Sequence, residues 1–395
     1  VVQERNYLVF DSGLDKKNME QPTMSTATPK KKIAFVTNVG YSLFREEIHE
    51  TYGGGQIDLY ILAKEIISRG QYDAAMVFLD YGQPAEELID GIHLVKSYPP
   101  RQPGNTLRQF ITACRRLWSA MKRANADIYF HEGADFEIAI TRIFCTIYRR
   151  KYIFRCANII DVDGRYHRAH PLHGKLFSFG LNGAHAIIAQ TKDQEQLLHG
   201  QGRTVQIIEN MYPLPEKIST ASTLPAIWVG RMTKVKQPDL FLQLVRKFPE
   251  KKFIMLGPVD SVDQDYAADI QRQLASLPNV TYHTKVPFHS TAKFFAEASL
   301  LINTSTYEGF PLTFVQAMAN GLPILTAGID PDQVVSTSAG LVATGVDDLE
   351  KKFLQLYQPE IWHKFSQSAR IYAEQHYAPA MIVPKYERLF LSVLA

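Results

Sequence analysis

The sequence predicts an α/β protein built from two Rossmann-like domains, each with a mainly parallel sheet, facing one another across a cleft. Three observations carry that expectation. Short apolar runs of strand length alternate with stretches of helical period, as in parallel sheets covered on both faces. The alternation breaks once, at the Pro/Ser/Thr-rich stretch 211–225, and then restarts. With 395 residues, 46% of them hydrophobic, the chain can fill two cores of ordinary size.

The elements follow in order. Residues 1–29 show no periodicity and are expected to form a tail outside the fold. Ile33–Thr37 is an apolar run of the form taken by a strand buried on both faces. Gly53, Gly54 and Gly55 then open a helical stretch from about Gln56 to Ser68, with Gly70 as its stop. Ala74–Leu79 reads as the next strand. Leu107, Phe110, Ile111, Cys114, Leu117, Trp118 and Met121 form a long helical stripe, and Asp127–His131, Tyr152–Arg155 and Ala186–Gln190 are further strands. After the break, Ala226–Val229, Phe253–Leu256, Val280–His283, Leu300–Asn303 and Ile324–Thr326 read as strands, with a helix over Asp239–Lys247. The expected boundaries are 30–212 for the first domain and 213–372 for the second, with 373–395 a final helix crossing back to the first. A single large doubly wound domain and three smaller units remain as alternatives. In sheets of this kind ligands sit beyond the carboxyl ends of the strands.

Composition excludes some functions. A formal charge of +3 gives no ground for a nucleic-acid partner. Cys114, Cys145 and Cys156 have neither metal-ligand spacing nor an even disulfide framework, which fits a reduced, cytoplasmic setting. No apolar run approaches the ~20 residues that span a bilayer, so membrane contact is expected to be peripheral. Residues 101–183 carry about eight more basic than acidic side chains. That surface could dock an anionic membrane at its inner face or a lipid-linked acceptor, although a solvated helix face is the default reading.

The most informative segment is Asn303–Thr326, NTSTYEGFPLTFVQAMANGLPILT. A strand runs into Glu308-Gly309-Phe310, and a helix follows with Pro311 near its first position and Gly321 just past its end. Gly309 permits close backbone approach, and the helix start after Phe310, at Pro311 and Leu312, offers unpaired N–H groups to an anion. Glu308, just before that anion site, suits a sugar hydroxyl. Gln316 lies about 7–8 Å farther along the axis by the usual rise, the step from diphosphate to ribose.

This segment resembles the donor-site signature of family 4 of the retaining glycosyltransferases, which have the GT-B fold. In that family two glutamates eight positions apart bracket a Gly-Phe turn, the first holding the donor sugar and the second the ribose hydroxyls. Glu308 matches the first; Gln316 stands where the second would be. A glutamine accepts one ribose O–H but not two as an ionised carboxylate does. Trp228-Val229-Gly230-Arg231-Met232-Thr233-Lys234-Val235-Lys236 is similar to the family's strand-Gly-Arg…Lys element, in which Arg231 and Lys236 would clamp the diphosphate. The family usually has glycine after this lysine; here it is Gln237. The resemblance also implies that Gly53–Gly55 approaches donor phosphates or acceptor. Weaker echoes are Ile188-Ala189-Gln190-Thr191 with Ile207-Ile208-Glu209-Asn210, and Asn279-Val280 through Val286-Pro287.

From the resemblance follow a nucleotide diphosphate sugar as donor, a UDP-sugar being favoured, a glycan or lipid-linked acceptor, and transfer with retention. Fixed cations would neutralise the leaving group, so neither a metal nor another cofactor is expected. Many members carry a histidine after the strand that here ends near Ala157 and Asn158. Asn158, Asp161, Asp163 and His131 are the candidates on the acceptor side. His167, His170 and His173, three apart, invite a zinc reading, yet no cysteine or paired glutamate completes a ligand set. Two alternatives stay open: a non-catalytic GT-B protein that binds nucleotide sugar or glycan, and an enzyme of the same fold with different chemistry, such as a sugar-nucleotide epimerase.

Overall fold

The computed structural model describes residues 30–48, 50–100, 107–219, 221–259 and 263–395; the leader over 1–29 lies outside the described residues, as does the start of the basic stretch at 101–106. Most of the apolar runs become buried strands, whereas Val280–His283 is half-buried to exposed. The first sheet contains β1 (Lys31–Asn38), β2 (Tyr72–Phe78), β3 (Glu86–Ile89), β4 (Ile92–Lys96), β5 (Ile128–Glu132), β6 (Lys151–Arg155), β7 (Ala186–Ala189) and β8 (Gln206–Ile207). Its strand order is β3-β4-β2-β1-β5-β6-β7-β8, parallel except for β3 with β4. The β3–β4 hairpin has no counterpart in the sequence reading: β3, at the sheet edge, alternates exposed and half-buried residues, and in β4 His93 and Lys96 interrupt the buried Ile92, Leu94 and Val95.

The second sheet contains β9 (Ala226–Val229), β10 (Phe253–Leu256), β11 (Val280–His283), β12 (Leu300–Asn303), β13 (Ile324–Thr326) and β14 (Gly340–Val342). Its order is β11-β10-β9-β12-β13-β14, parallel throughout. In both sheets the order turns back beside the first strand, leaving a crevice at the carboxyl ends where ligands bind in open α/β sheets.

The two halves share one apolar core. It runs from Ile33, Leu59 and Phe130 through Phe310 and Phe314 to Tyr386 and Phe390. The reason is the last helix, Pro379–Leu394, which lies against the first domain's helix Gly54–Arg69. Tyr72 and Phe390 rings meet there at 5.6 Å between centroids.

One helix departs from its sequence reading. Leu107–Ala124 forms, but only Leu117, Ala120, Met121 and Ala124 are buried. Leu107, Phe110 and Ile111, counted in the apolar stripe, are exposed by 74%, 38% and 49%. In its first two turns Phe110 meets the Phe136 ring at 5.1 Å between centroids, while Leu107 and Ile111 lie at the surface.

Candidate active site in the interdomain cleft

The cleft encloses a cavity of ≈ 410 Å³, lined from both domains. That size suits a small organic ligand, for which pockets of about 300–1,000 Å³ are usual. Its second-domain wall is assembled from two loops leaving adjacent strands. After β9, the loop 230–237 is laced to the loop after β12: Thr306 N donates to Val235 O at 2.8 Å and Thr304 Oγ1 to Lys236 O at 2.6 Å. Trp228 Nε1 donates to Thr304 Oγ1 at 2.9 Å. This lacing brings the Lys236 ammonium directly onto the Glu308 carboxylate, with the lysine side chain 23% exposed.

Gly230, Arg231, Lys236, Glu308, Gly309, Phe310, Pro311, Leu312 and Gln316 all line this one cavity. The helix Leu312–Ala319 begins on its wall, with Pro311 as the flanking cap rather than the first helical residue. Gln316 is buried, with its side chain beside the Tyr212 phenol. The residue after the lysine also has a geometric account: Gln237 adopts φ +45°, the left-handed region that favours glycine.

The first-domain wall is the glycine triplet and the strand ends. Gly53, Gly54 and Gly55 cap and begin the helix Gly54–Arg69, and all three line the cavity. A Cβ on Gly54 would lie 2.8 Å from Leu312 Cβ, so the triplet touches the start of the donor-side helix. Gly309 is tighter still. A Cβ there would stand 2.5 Å from the Ala157 carbonyl oxygen. Its glycine is therefore required by the opposite domain's backbone.

Of the four acceptor-side candidates, only Asn158 lines the cavity. Asp161 is buried and accepts from Ala157 N at 2.9 Å and Asn158 N at 3.0 Å, so it fixes the turn that carries those residues. Burial raises its carboxyl to about 6. Asp163 is taken by Arg165, whose guanidinium in turn covers the Tyr307 ring at 4.7 Å. His131 points to the other sheet face, because side chains alternate along a strand. There it sits 3.6 Å from buried Glu137, and burial lowers its own titration to about 4. His167, His170 and His173 do not gather: among the described residues no group of three or more His, Cys, Asp or Glu could hold a metal ion.

The residue that sequence reading missed is Glu132. It lines the cavity one position beyond His131, and burial raises its carboxyl to about 7 against the opposing pull of Arg155. The signal was present: an apolar run ending in a carboxylate before Gly133, at φ +80°, is a strand end in the ligand crevice. Behind Glu132, fully buried Arg155 holds Asp58, Asn210 and Tyr386. Asn210 Nδ2 donates in turn to the Phe310 carbonyl at 2.8 Å, tying this cluster to the donor-side loop.

Residues 225–359 match the model of the family described as Glycosyl transferases group 1. The O-antigen chain mannosyltransferase B of Escherichia coli is 26% identical over 160 residues, 39% of this chain and 42% of that protein. The match thus spans less than half of that relative's length. Sucrose-phosphate synthase of Thermosynechococcus elongatus superposes with a TM-score of 0.75 at 14% identity, over 92% of this chain and 99% of the other. Anabaena HepE in complex with UDP-glucose superposes with a TM-score of 0.69 at 15% identity, over 91% and 99%.

Two facing parallel-sheet domains with a cleft of this form define the GT-B fold. The stretch that matches the Glycosyl transferases group 1 model carries the Gly-Arg…Lys and Glu-Gly-Phe elements on the cavity wall, and is similar there to the family-4 type.

Proposed function

We propose that the protein is a retaining glycosyltransferase that moves a hexose or N-acetylhexosamine from a nucleotide diphosphate sugar to a glycan or lipid-linked acceptor. The observation that carries this reading is the convergence of Arg231, Lys236, Glu308 and the start of the helix Leu312–Ala319 on one cavity. Two cations and the first N–H groups of a helix are complementary to a diphosphate and to the charge it gains as it departs. Lys236 exchanges its Glu308 partner for phosphate oxygens, which releases the carboxylate for a sugar hydroxyl. Arg231 adds a planar fork of donors. The leaving phosphate takes the acceptor proton, and the new bond forms on the face that the phosphate leaves. With these fixed charges in place the reaction proceeds without a metal.

A UDP-sugar is the favoured donor, in keeping with the UDP-glucose held by the HepE structure. The exposed Leu107, Phe110 and Ile111, with Arg108, Arg115 and Arg116 on the same helix, support peripheral contact with an anionic membrane. No helix among the described residues is long and apolar enough to cross one.

The test is thermal stabilisation by nucleotide sugars followed by transfer assays. A UDP-hexose or UDP-N-acetylhexosamine raises the melting temperature without added divalent metal. Lys236→Ala and Glu308→Ala each lower transfer by about 10²-fold or more, the scale on which loss of one preorganised charge acts, while circular dichroism stays unchanged. Near wild-type transfer in both variants removes the assignment. Binding by the wild type with no turnover on any acceptor favours a non-catalytic sugar-nucleotide binder.

A further inference from the structure

Glu132 is not explained by the diphosphate chemistry above. Its side chain is 3% exposed, yet the residue lines the cavity. Oε1 accepts from Gln190 Nε2 at 3.3 Å and lies 3.4 Å from Arg155 Nε. Oε2 is buried and has no hydrogen-bond partner among the described residues. Arg155 already has the Asp58 carboxylate as counter-charge, so a second buried carboxylate is not needed to neutralise it. A buried acceptor left unmade is destabilising, and its persistence calls for a partner that arrives from outside the chain.

A second buried polar atom stands in the same corner. Gln194 Oε1 accepts from Gln190 N at 2.7 Å, which fixes the amide, and Gln194 Nε2 has no partner among the described residues. That nitrogen is 3.3 Å from where a Cβ of Gly309 would be. Gln194 is fully buried and does not line the cavity, so the Glu132 oxygen is the atom placed to meet a ligand, and Gln190, which lines the cavity beside it, holds its carboxylate. A hydroxyl group can give a proton to a carboxylate oxygen; an ionised phosphate cannot.

We propose that Glu132 is the acceptor of a hydroxyl-binding subsite on the first domain that receives the sugar of the nucleotide sugar, opposite Glu308. This rests on the donor reading above. Donor binding then has two separable parts, with the nucleotide diphosphate held by the second domain and the sugar discriminated by the first.

Calorimetry on the full chain separates these parts with paired probes: UDP with UDP-glucose, UDP with UDP-N-acetylglucosamine, and GDP with GDP-mannose. In Glu132→Gln, affinity for the sugar nucleotide that the wild type binds falls about 10- to 100-fold, the range for one hydrogen bond to a charged group. Affinity for the matching nucleotide diphosphate changes by less than about threefold. Glu132→Asp is the second variant. It keeps the carboxylate and its charge but withdraws both oxygens by one methylene. It reproduces the same split, and it decides the matter should Glu132→Gln not fold. Equal losses for both members of a pair, or no loss for either, overturn the subsite while leaving the donor site standing. No binding of any pair by the wild type overturns the donor reading and the subsite with it.

Discussion

Gly309 shows how a close approach can be legible in a sequence while the neighbour is not. The sequence marks it as a place of close approach, and the structure supplies the neighbour, the Ala157 carbonyl of the other domain. Local spacing cannot reveal a partner about 150 positions away. Its φ is not in the left-handed region, so contact, not conformation, forbids a side chain there. Gly309→Ala is expected to destabilise by about 1–3 kcal/mol, the usual effect of overpacking, and to lower transfer because the Glu308 turn must shift. Urea midpoints and initial rates check both, and wild-type values in each would show that the two loops do not meet in solution. Gln237 illustrates the opposite case. A departure from the family pattern is visible in the sequence, but only φ +45° explains why glycine is usual there. His131 and Glu132 complete the lesson: strand alternation places neighbouring residues on opposite faces, and the register decides which of them reaches the ligand.

At the scale of elements, strands were the more legible because buried parallel strands are continuous apolar runs. The hairpin β3–β4 and the exposed start of Leu107–Ala124 were not, since their burial depends on which elements lie alongside. The side chains that link the elements were not legible. Arg155 on β6 binds Asp58 of the first helix, Tyr386 of the last helix and Asn210 of the connecting segment, and Asn210 alone reaches Phe310. This arrangement separates two effects. Tyr386→Phe removes one neutral partner of Arg155 and is expected to lower stability by about 1–2 kcal/mol with little change in transfer. Asn210→Ala also frees the Phe310 carbonyl, so it lowers stability similarly and transfer by about tenfold or more. Equal transfer by the two variants would show that the tie to Phe310 has no role in holding the donor loop.

For the whole molecule, buried carboxyls set the response to pH. Burial raises Glu132 and Glu137 to about 7, and Asp161 to about 6. Each binds its proton more tightly when folded than in an unfolded chain, where carboxyls titrate near ~4. The stabilisation is therefore complete below about pH 4 and is lost as pH rises to about 7. His131, lowered to about 4, works in the opposite sense between that value and its ordinary ~6.5. Three carboxyls against one imidazole leave a net decline. The urea midpoint is expected to fall between about pH 5.5 and about pH 8, less so in Glu137→Gln. An identical slope in that variant would show that Glu137 titrates normally.

The final helix has a consequence for recombining such proteins. Pro379–Leu394 follows the second domain along the chain, but its Tyr386 and Phe390 complete the first domain's interior. A hybrid joined at the 211–225 connector would pair each amino-terminal half with a foreign terminal segment. Grafts that carry residues 379–395 along with the amino-terminal half, using two crossover points instead of one, keep that interior native.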